Sequence, residues 1–232
     1  MESLAEKKLR AIKFRQKGRT YGEIREHVDV SKSTLSLWLR NVKVPEKFLA
    51  RIYESKLKAV RLGWEARRNQ RITRTEQIIT SAREEVKKLM SDPLWLVGVT
   101  LYWAEGHKEK LWRPGALTTF TNMDEDTIIL FMEWCRKFLS VRSEDFICSL
   151  YIHDSHKARV PEVRKWWAKK LSVKAKNIAV YYKKTVIKHV RHNDGHTYRG
   201  VIRIRVKKST DISRRIAGWT SELVHSLKGN MG

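Results

Sequence analysis

The 232-residue chain carries 49 lysine and arginine residues against 25 aspartate and glutamate residues, which gives a formal net charge of +24 at pH 7. This excess favours a polyanionic partner, because cationic surfaces gain affinity by releasing counterions from phosphates. Nine tryptophans and 41% hydrophobic residues exclude a disordered basic tail. The chain has no apolar leader and no run of transmembrane length, so we expect a cytoplasmic protein without a membrane partner.

The two cysteines, Cys135 and Cys148, lack the C-x-x-C spacing of a zinc ribbon and cannot form a disulfide framework. We expect reduced, half-buried thiols. The sequence also lacks G-x-x-x-x-G-K-[ST] and G-x-G-x-x-G motifs, so nucleotide-driven chemistry has no support.

Residues 1–43 are predicted to form a helix-turn-helix domain. Thr20 and Glu23 form a capping box that starts a short helix running to Val28. Asp29 then occupies a turn that suits a residue tolerant of left-handed geometry. A second helix begins after its N-cap residue, Ser31, and continues to about residue 41.

Apolar spacing sorts the side chains of this second helix into two faces. We expect the inward face to share a core with the two preceding helices. The expected core residues are Leu9, Ile12, Tyr21, Ile24, Val28, Leu35, Trp38 and Leu39. The outward face, which such a helix lays into the DNA major groove, holds Lys32, Ser33, Ser36 and Arg40.

The pattern in residues 24–39 resembles the helix-turn-helix of resolvase- and transposase-type DNA binders. The alternative is a three-helix packing module without DNA, which the basic charge disfavours.

Residues 44–91 are predicted to form a basic helical linker with a single interior glycine, Gly63. A helix of about 40 residues spans about 60 Å. Its charges either follow the DNA backbone or form an ordinary solvated face.

The third segment, residues 92–232, opens with a helix that Asp92 caps, with Pro93 at its first position, and that ends at Gly106. This helix is apolar nearly all round, so we expect it to be buried on every side. Gly98, Thr100 and Ala104 are small residues at a spacing that lets a second helix approach closely.

The remaining segments predict an α+β domain. A β-hairpin around Pro114 and Gly115 precedes a helix capped by Asp124. Residues 145–153 form a strand and residues 161–171 a short helix. Two strands, 177–190 and 196–208, then pair around the turn at residues 193–195, and a final helix closes the chain.

The last strand is amphipathic. Ile202, Ile204 and Val206 alternate with Arg203, Arg205 and Lys207, so one face is apolar and the other cationic. A row of cations without acidic partners indicates a concave floor for a nucleic-acid backbone. The residues predicted to contact DNA from this region are Lys183, Arg199, Arg203, Arg205 and Lys207.

The stretch "GVTLYWAEG" resembles the motif of the LAGLIDADG homing-endonuclease family. Its A-E-G ending matches, Thr100 and Ala104 stand at the small-residue positions, and Glu105 stands at the metal-binding acid position. Gly98, Tyr102 and Trp103 depart from the usual residues. The resemblance covers roughly residues 92–228 and implies an αββαββα core, with an extra helix inserted near residues 160–171.

The resemblance implies a mechanism. A chain with one motif acts as a homodimer, and two Glu105 carboxylates meet at the scissile phosphates of double-stranded DNA. Their mutual repulsion, and the negative end of each helix dipole, favour a divalent cation such as Mg²⁺. Lys108 is the first candidate to neutralise charge in the transition state, and Lys207 is a weaker one.

The resulting expectation is a nucleoid-associated, Mg²⁺-dependent, site-specific DNA endonuclease. The alternative is a sequence-specific transcriptional regulator with a cleavage-inactive domain, which resembles sporulation regulators that join such a domain to a helix-turn-helix. A transposition accessory factor is a weaker third interpretation.

Two histidine clusters offer other candidate sites: His153 and His156 with Asp154, and His189, His192 and His196. Their sequence contexts disfavour both metal binding and an HNH nuclease. Trp166 and Trp167 are expected to pack in the core and at its rim.

Overall fold

The computed structural model describes residues 2–110, 112–184 and 197–229, which fall into two compact units, Met1–Ile72 and Thr73–Gly232. The helices are α1 (Leu4–Gln16), α2 (Tyr21–Arg25), α3 (Lys32–Leu39), α4 (Leu49–Leu89), α5 (Pro93–Glu105), α6 (Glu125–Leu139), α7 (Val160–Lys170) and α8 (Thr210–Gly229). The strands are β1 (Thr119–Asn122), β2 (Phe146–His153), β3 (Ile178–Lys183) and β4 (Val201–Val206). In these ranges, none of the helices combines the length and apolar character that a membrane span requires.

The first unit packs α1, α2 and α3 around a small apolar core. The fully buried members are Ala11, Ile24, Val28, Leu35 and Leu39. The predicted capping box is confirmed: the Thr20 hydroxyl accepts from the Glu23 backbone N–H at 3.3 Å, and the Glu23 carboxylate accepts from the Thr20 backbone N–H at 2.7 Å. The prediction that Leu9 lies in the core is wrong, since its side chain is 60% exposed and the buried residue of α1 is Ala11.

The turn between α2 and α3 differs from the prediction. Helix α2 ends at Arg25 rather than at Val28, and Asp29 does not adopt a left-handed backbone. Two basic side chains of α1 donate hydrogen bonds to backbone carbonyl oxygens of this turn. Lys7 Nζ lies 3.3 Å from the carbonyl oxygen of Asp29, and Arg10 Nη2 lies 2.8 Å from that of His27. These hydrogen bonds satisfy two backbone carbonyls that lie beyond the end of α2 and have no intrahelical donor.

The predicted linker is helical, as expected for a segment with no proline after Pro45. Helix α4 contains 41 residues, and Gly63 lies in it with open space around its Cα. Near the start of α4, Ile52 is buried, and Arg51 pairs with Glu23. Near its end, Ala82 and Val86 belong to the core of the second unit.

The four described strands form one sheet in the order β1-β4-β2-β3. Strand β4 is antiparallel to both β1 and β2, whereas β2 and β3 are parallel and are joined through α7. The predicted pairing of β3 with β4 is therefore wrong, because β2 lies between them. The turn proposed at residues 193–195 lies outside the described residues.

The predicted first hairpin is also wrong in its described part. Strand β1 is four residues long and pairs with β4, while Lys110 and Arg113 form only an isolated bridge. The layout is α+β, and the described part of the sheet departs from two successive hairpins.

Aromatic side chains dominate the core of the second unit, between the helices and one face of the sheet. The rings of Phe120 and Phe131 stack with centroids 4.6 Å apart. Trp219 of α8 lies 5.6 Å from Trp95 of α5 and 6.0 Å from Trp134 of α6. Edge-to-face and offset pairs at these distances add to the stabilisation from apolar burial. This packing fixes α5, α6 and α8 relative to the sheet.

The start of α5 is confirmed. Asp92 accepts from the backbone N–H of Leu94 at 2.9 Å and that of Trp95 at 3.3 Å, with Pro93 at the first helical position. Lys137 Nζ of α6 lies 2.6 Å from the other carboxylate oxygen of Asp92. The hydrogen bond from Lys137 is the largest cause that lowers the pKa of Asp92.

Candidate nucleic-acid interface

Helix α3 presents a polar face to solvent. Leu35 and Leu39 anchor the opposite face in the core of the first unit. The Ser31 hydroxyl caps the helix by accepting from the backbone N–H of Thr34 at 3.0 Å. The four residues predicted to contact DNA from this helix are all exposed: Lys32, Ser33, Ser36 and Arg40.

The prediction omitted one member of this exposed face. Leu37 is 67% exposed and lies four residues after Ser33 and three before Arg40. Positions three and four apart share a helix face, so this spacing alone would have placed Leu37 beside the polar residues.

A second exposed surface lies on the sheet face opposite the core. Ile202, Ile204 and Val206 are buried, while Arg203 and Arg205 point to the other side, so the predicted alternation of β4 is confirmed. The register places other residues on this open face: Thr119 and Thr121 of β1, Ser149 and Tyr151 of β2, and Tyr181 and Lys183 of β3.

Arg203 is the centre of this open face. Its Nη1 donates to the Tyr151 hydroxyl at 2.7 Å and its Nε to Thr121 Oγ1 at 3.2 Å. Its guanidinium also lies 4.5 Å from the centroid of the Tyr151 ring, which stacks on the ring of Tyr181 at 5.1 Å. Lys183 Nζ approaches the same Tyr151 ring at 5.9 Å. Three strands thus hold a preorganised cluster of two cations and two aromatic rings.

The other two basic residues predicted for this region have different surroundings. Arg199 precedes β4 and lies 3.4 Å from Glu162 of α7, with its guanidinium 5.5 Å from the ring of Trp166. Lys207 follows β4 and donates to the carbonyl oxygen of Glu144 at 2.6 Å. The structure therefore brings Lys183, Arg203 and Arg205 together on the open face, and it leaves Arg199 and Lys207 beyond the ends of the strands.

Glu105 is the last residue of α5 and is exposed. Beyond it, the chain is tied to the sheet. The backbone N–H of His107 donates to the carbonyl of Thr119 at 2.9 Å, and the Tyr102 hydroxyl donates to the carbonyl of His107 at 2.7 Å. Thr119 pairs in register with Arg205. The C-terminal end of α5, with the exposed Lys108 after it, therefore lies at the β1 edge of the sheet.

Helix α5 is not buried on every side, so that prediction is wrong. Its inner face packs in the core, but a stripe along its other face is exposed. This stripe consists of Leu96, Val97, Thr100, Trp103 and Ala104, and we call it the α5 stripe. Val97 is 40% and Trp103 48% exposed. The helix is apolar all round because one half of its surface meets the core and the other half remains uncovered in the single chain.

Gly98 lies on the inner face, not in the α5 stripe. A methyl group at this position would lie 2.0 Å from Cγ of Trp134 on α6. The absence of a side chain therefore lets α6 approach α5 within one chain. Of the three small residues predicted to let a second helix approach closely, Gly98 does so toward α6, whereas Thr100 and Ala104 are exposed.

Other candidate sites are weaker. Within the described residues no three His, Cys, Asp or Glu side chains are close enough to hold a metal ion. His153 and His156 approach the ring of Tyr198, at 6.0 and 4.8 Å. His189, His192 and His196 lie outside the described residues.

The tryptophan pair and the cysteines have structural surroundings. Trp167 is buried and Trp166 is half-buried beside it, as expected for core and rim. Both cysteines are buried more deeply than predicted, and burial raises the pKa of the Cys148 thiol to about 11 and that of Cys135 well above its ordinary value. Neither thiol has the lowered pKa of a nucleophile.

Comparisons of the chain with protein-family models, with curated proteins and with solved structures found no match.

Proposed function

We propose that the protein binds double-stranded DNA as a homodimer and hydrolyses it at a metal site to which each subunit contributes Glu105. The α5 stripe carries this proposal, because it is an uncovered apolar helix face that runs up to a carboxylate beside a cationic sheet. A helix that only completed one core would have no physical reason to expose Val97, Trp103 and Leu96 along one line.

Dimerisation through the α5 stripe gives the exposed face a partner. A twofold axis parallel to two such helices places both copies of Glu105 at the same end. Thr100, near the middle of the stripe, and Ala104, one turn later, are small enough for close helix approach, and the neighbouring Val97 and Trp103 supply apolar area. The same axis sets two open sheet faces side by side over one stretch of DNA.

The chemistry proposed for the site follows from the residue types. Glu105 supplies hard carboxylate oxygens, which suit Mg²⁺, and its exposure leaves them open to a ligand. When bound there, Mg²⁺ supplies Lewis-acid activation of a phosphate and of an attacking water. Lys108, three residues further on, is positioned by the His107 bond to β1 and can offset negative charge on the phosphate.

Two surfaces are proposed to bind DNA. Arg203, Arg205 and Lys183 of the open sheet face would contact phosphates, and the Tyr151 and Tyr181 rings hold the Arg203 guanidinium in place. The exposed face of α3 would enter a major groove, where a helix fits between the backbones. The net charge of +24 is consistent with both surfaces.

The second candidate is a DNA-binding regulator without nuclease activity. The sheet topology favours it. Strands β2 and β3 are parallel and β4 lies between β1 and β2, an arrangement that differs from the two hairpins expected for an endonuclease core. In this interpretation the α5 stripe and both DNA surfaces keep their roles, and Glu105 has no catalytic one.

The experiment that separates the candidates begins with selection of a bound DNA from a random library by the full chain. The selected DNA is then incubated with the protein and Mg²⁺. We expect the wild type to cut it, and Glu105→Gln to bind within about twofold of the wild type without cutting. The control is Glu65→Gln, an exposed glutamate on α4, which should bind and cut as the wild type does. Specific binding by the wild type without any cutting would refute the nuclease and leave the regulator.

The dimer has its own test. Val97→Glu places a charge in the α5 stripe, so we expect the variant to sediment as a monomer at concentrations where the wild type is a dimer, and to lose cutting. A wild type that stays monomeric on its selected DNA would exclude a site built from two copies of Glu105.

A further inference from the structure

The exposed face of α3 contains an apolar residue among polar ones. Leu37 exposes 67% of its surface, although it lies between Leu35 and Leu39, which are buried. Its neighbours on the same face are Ser33, one turn before it, and Arg40, one turn after it. The rigid attachment of α3 to the core fixes where this leucine is presented.

The other residues of this face have identifiable partners or chemistry. The Ser33 hydroxyl is 2.7 Å from that of Ser31, which caps the helix, so Ser33 is engaged at the N-terminus. Lys32 carries a charge suited to a phosphate. The part of the helix that follows the cap therefore presents Ser36, Leu37 and Arg40.

The chemistry of the major groove restricts what Leu37 can contact. Most groups on the base edges are hydrogen-bond donors or acceptors, and a leucine that covers them leaves them without partners. The C5-methyl group of thymine is the apolar exception, and contact with it removes apolar surface from water on both sides. A leucine that a groove-facing helix presents to the base edges therefore favours thymine.

We propose that Leu37 contacts the C5-methyl group of one thymine in each half-site of the bound DNA, and that it is a specificity-determining residue of the helix-turn-helix unit. This inference rests on the DNA binding proposed above and is independent of cleavage by Glu105. It also predicts part of the target: each half-site contains a T·A pair facing Leu37, flanked by pairs facing Ser36 and Arg40.

The test removes single methyl groups from the DNA. In the selected sequence each thymine is replaced in turn by deoxyuridine, which differs only in lacking the methyl group, and the dissociation constant of the full-length wild type is measured. We expect one position in each half-site to lose about fourfold in affinity, the factor that corresponds to one buried methyl-sized group.

The variant Leu37→Ala completes the comparison. At the sensitive position it should bind thymine and deoxyuridine DNA within about 1.5-fold of each other, since the alanine methyl does not reach as far as the leucine side chain it replaces. Leu9→Ala is the matched control. Leu9 is 60% exposed on α1, and its variant should keep the full fourfold preference. Thermal unfolding of both variants should match the wild type, because both side chains are largely exposed.

The outcomes separate the two proposals. Selected DNA that is bound tightly but is insensitive to deoxyuridine everywhere overturns the role of Leu37 and leaves DNA binding intact. If the wild type and Leu37→Ala lose the same affinity when thymine is replaced by deoxyuridine, the role of Leu37 is also overturned, because the methyl group would then contact another residue. A selection that enriches no sequence refutes sequence-specific DNA binding and this inference together.

Discussion

Replacing Gly98 by alanine would test how α5 packs in the second unit. The added methyl group would lie 2.0 Å from Cγ of Trp134, a side chain with no exposed surface. Trp134 cannot simply move aside, because its ring lies 5.9 Å from that of Phe131 and 6.0 Å from that of Trp219. The substitution therefore pushes α5 and α6 apart or forces Trp134 out of its rotamer.

The size of the effect follows from two opposing terms. Carbon atoms are in favourable contact at about 3.5–4.0 Å, so the overlap exceeds 1 Å. Overpacking of a well-packed core costs about 1–3 kcal/mol, and an overlap of this size belongs at or above the upper end. Alanine is favoured over glycine in a helix by about 1 kcal/mol. We expect a net loss of about 2 kcal/mol, which lowers the melting temperature of a unit of this size by about 4–8 °C.

The assay is thermal unfolding followed by near-ultraviolet circular dichroism, because seven of the nine tryptophans lie in Thr73–Gly232. Gly63→Ala is the matched control. Apart from the adjacent residues and the nearby backbone of α4 itself, no atom lies within 4 Å of the added methyl group, so the same chemical change should stabilise the helix by about 0.5–1 kcal/mol.

The result that would refute this reasoning is specific. If Gly98→Ala melts at the wild-type temperature and instead dissociates the dimer, Gly98 lies between subunits and not against Trp134. The α5 stripe would then have to be reassigned to the opposite face of the helix.

Three further predictions concern chemistry and charge. Iodoacetamide at pH 8 should leave Cys135 and Cys148 of the native protein unmodified by mass spectrometry, since burial raises both pKa values and that of Cys148 reaches about 11; modification of the folded protein would contradict the burial. The pKa of Asp92 is lowered in the folded protein, chiefly by the hydrogen bond from Lys137. The ionised Asp92 carboxylate therefore stabilises the folded protein above pH about 4, and this stabilisation is lost as the pH falls through the lowered pKa. Urea unfolding at pH 6 and pH 3 should therefore show a smaller loss for Asp92→Asn than for the wild type, and an equal loss would assign the acid sensitivity to other groups. Arg203→Met should weaken binding to the selected DNA and reduce the slope of log affinity against log salt by about two, one for each subunit of the dimer, and an unchanged slope would remove Arg203 from the phosphate contacts.

Local patterns predicted the features of the chain that depend on neighbouring residues. The capping pair Thr20 and Glu23 fixed one helix start, and Asp92 before Pro93 fixed another. The alternation along β4 assigned Arg203 and Arg205 to one face before any partner strand was known, because side-chain direction in a strand depends only on position.

Pairing between distant segments could not be predicted in the same way. The segments before and after residues 193–195 looked like a hairpin because adjacent strands usually pair. In the described part of these segments β2 lies between β3 and β4, and its register with β4, from Phe146 opposite Val206 to Tyr151 opposite Val201, depends on burial of one face across three strands. No single segment carries that information.

The packing of α5 shows a further limit of the sequence pattern. An all-apolar helix is predicted to be buried, and a glycine within it could serve any close approach. Only the position of Trp134 reveals that Gly98 serves the internal contact, which leaves Thr100 and Ala104 on the uncovered side. The same holds for Leu37, whose exposure depends on which face of α3 the small core of the first unit takes up.

The position of β4 in the sheet has a consequence for synthesis of the chain. Strands β1 and β2 each pair with β4 and not with each other, yet β4 begins roughly 50 residues after β2 ends. At translation rates of about 5–20 residues per second, β1 waits without its ladder partner for about 2–10 s after β2 has been made. The sheet is therefore completed only by insertion of the last strand, and a chain truncated before residue 201 leaves open the β1 and β2 edges that β4 would occupy, which can pair with other nascent chains.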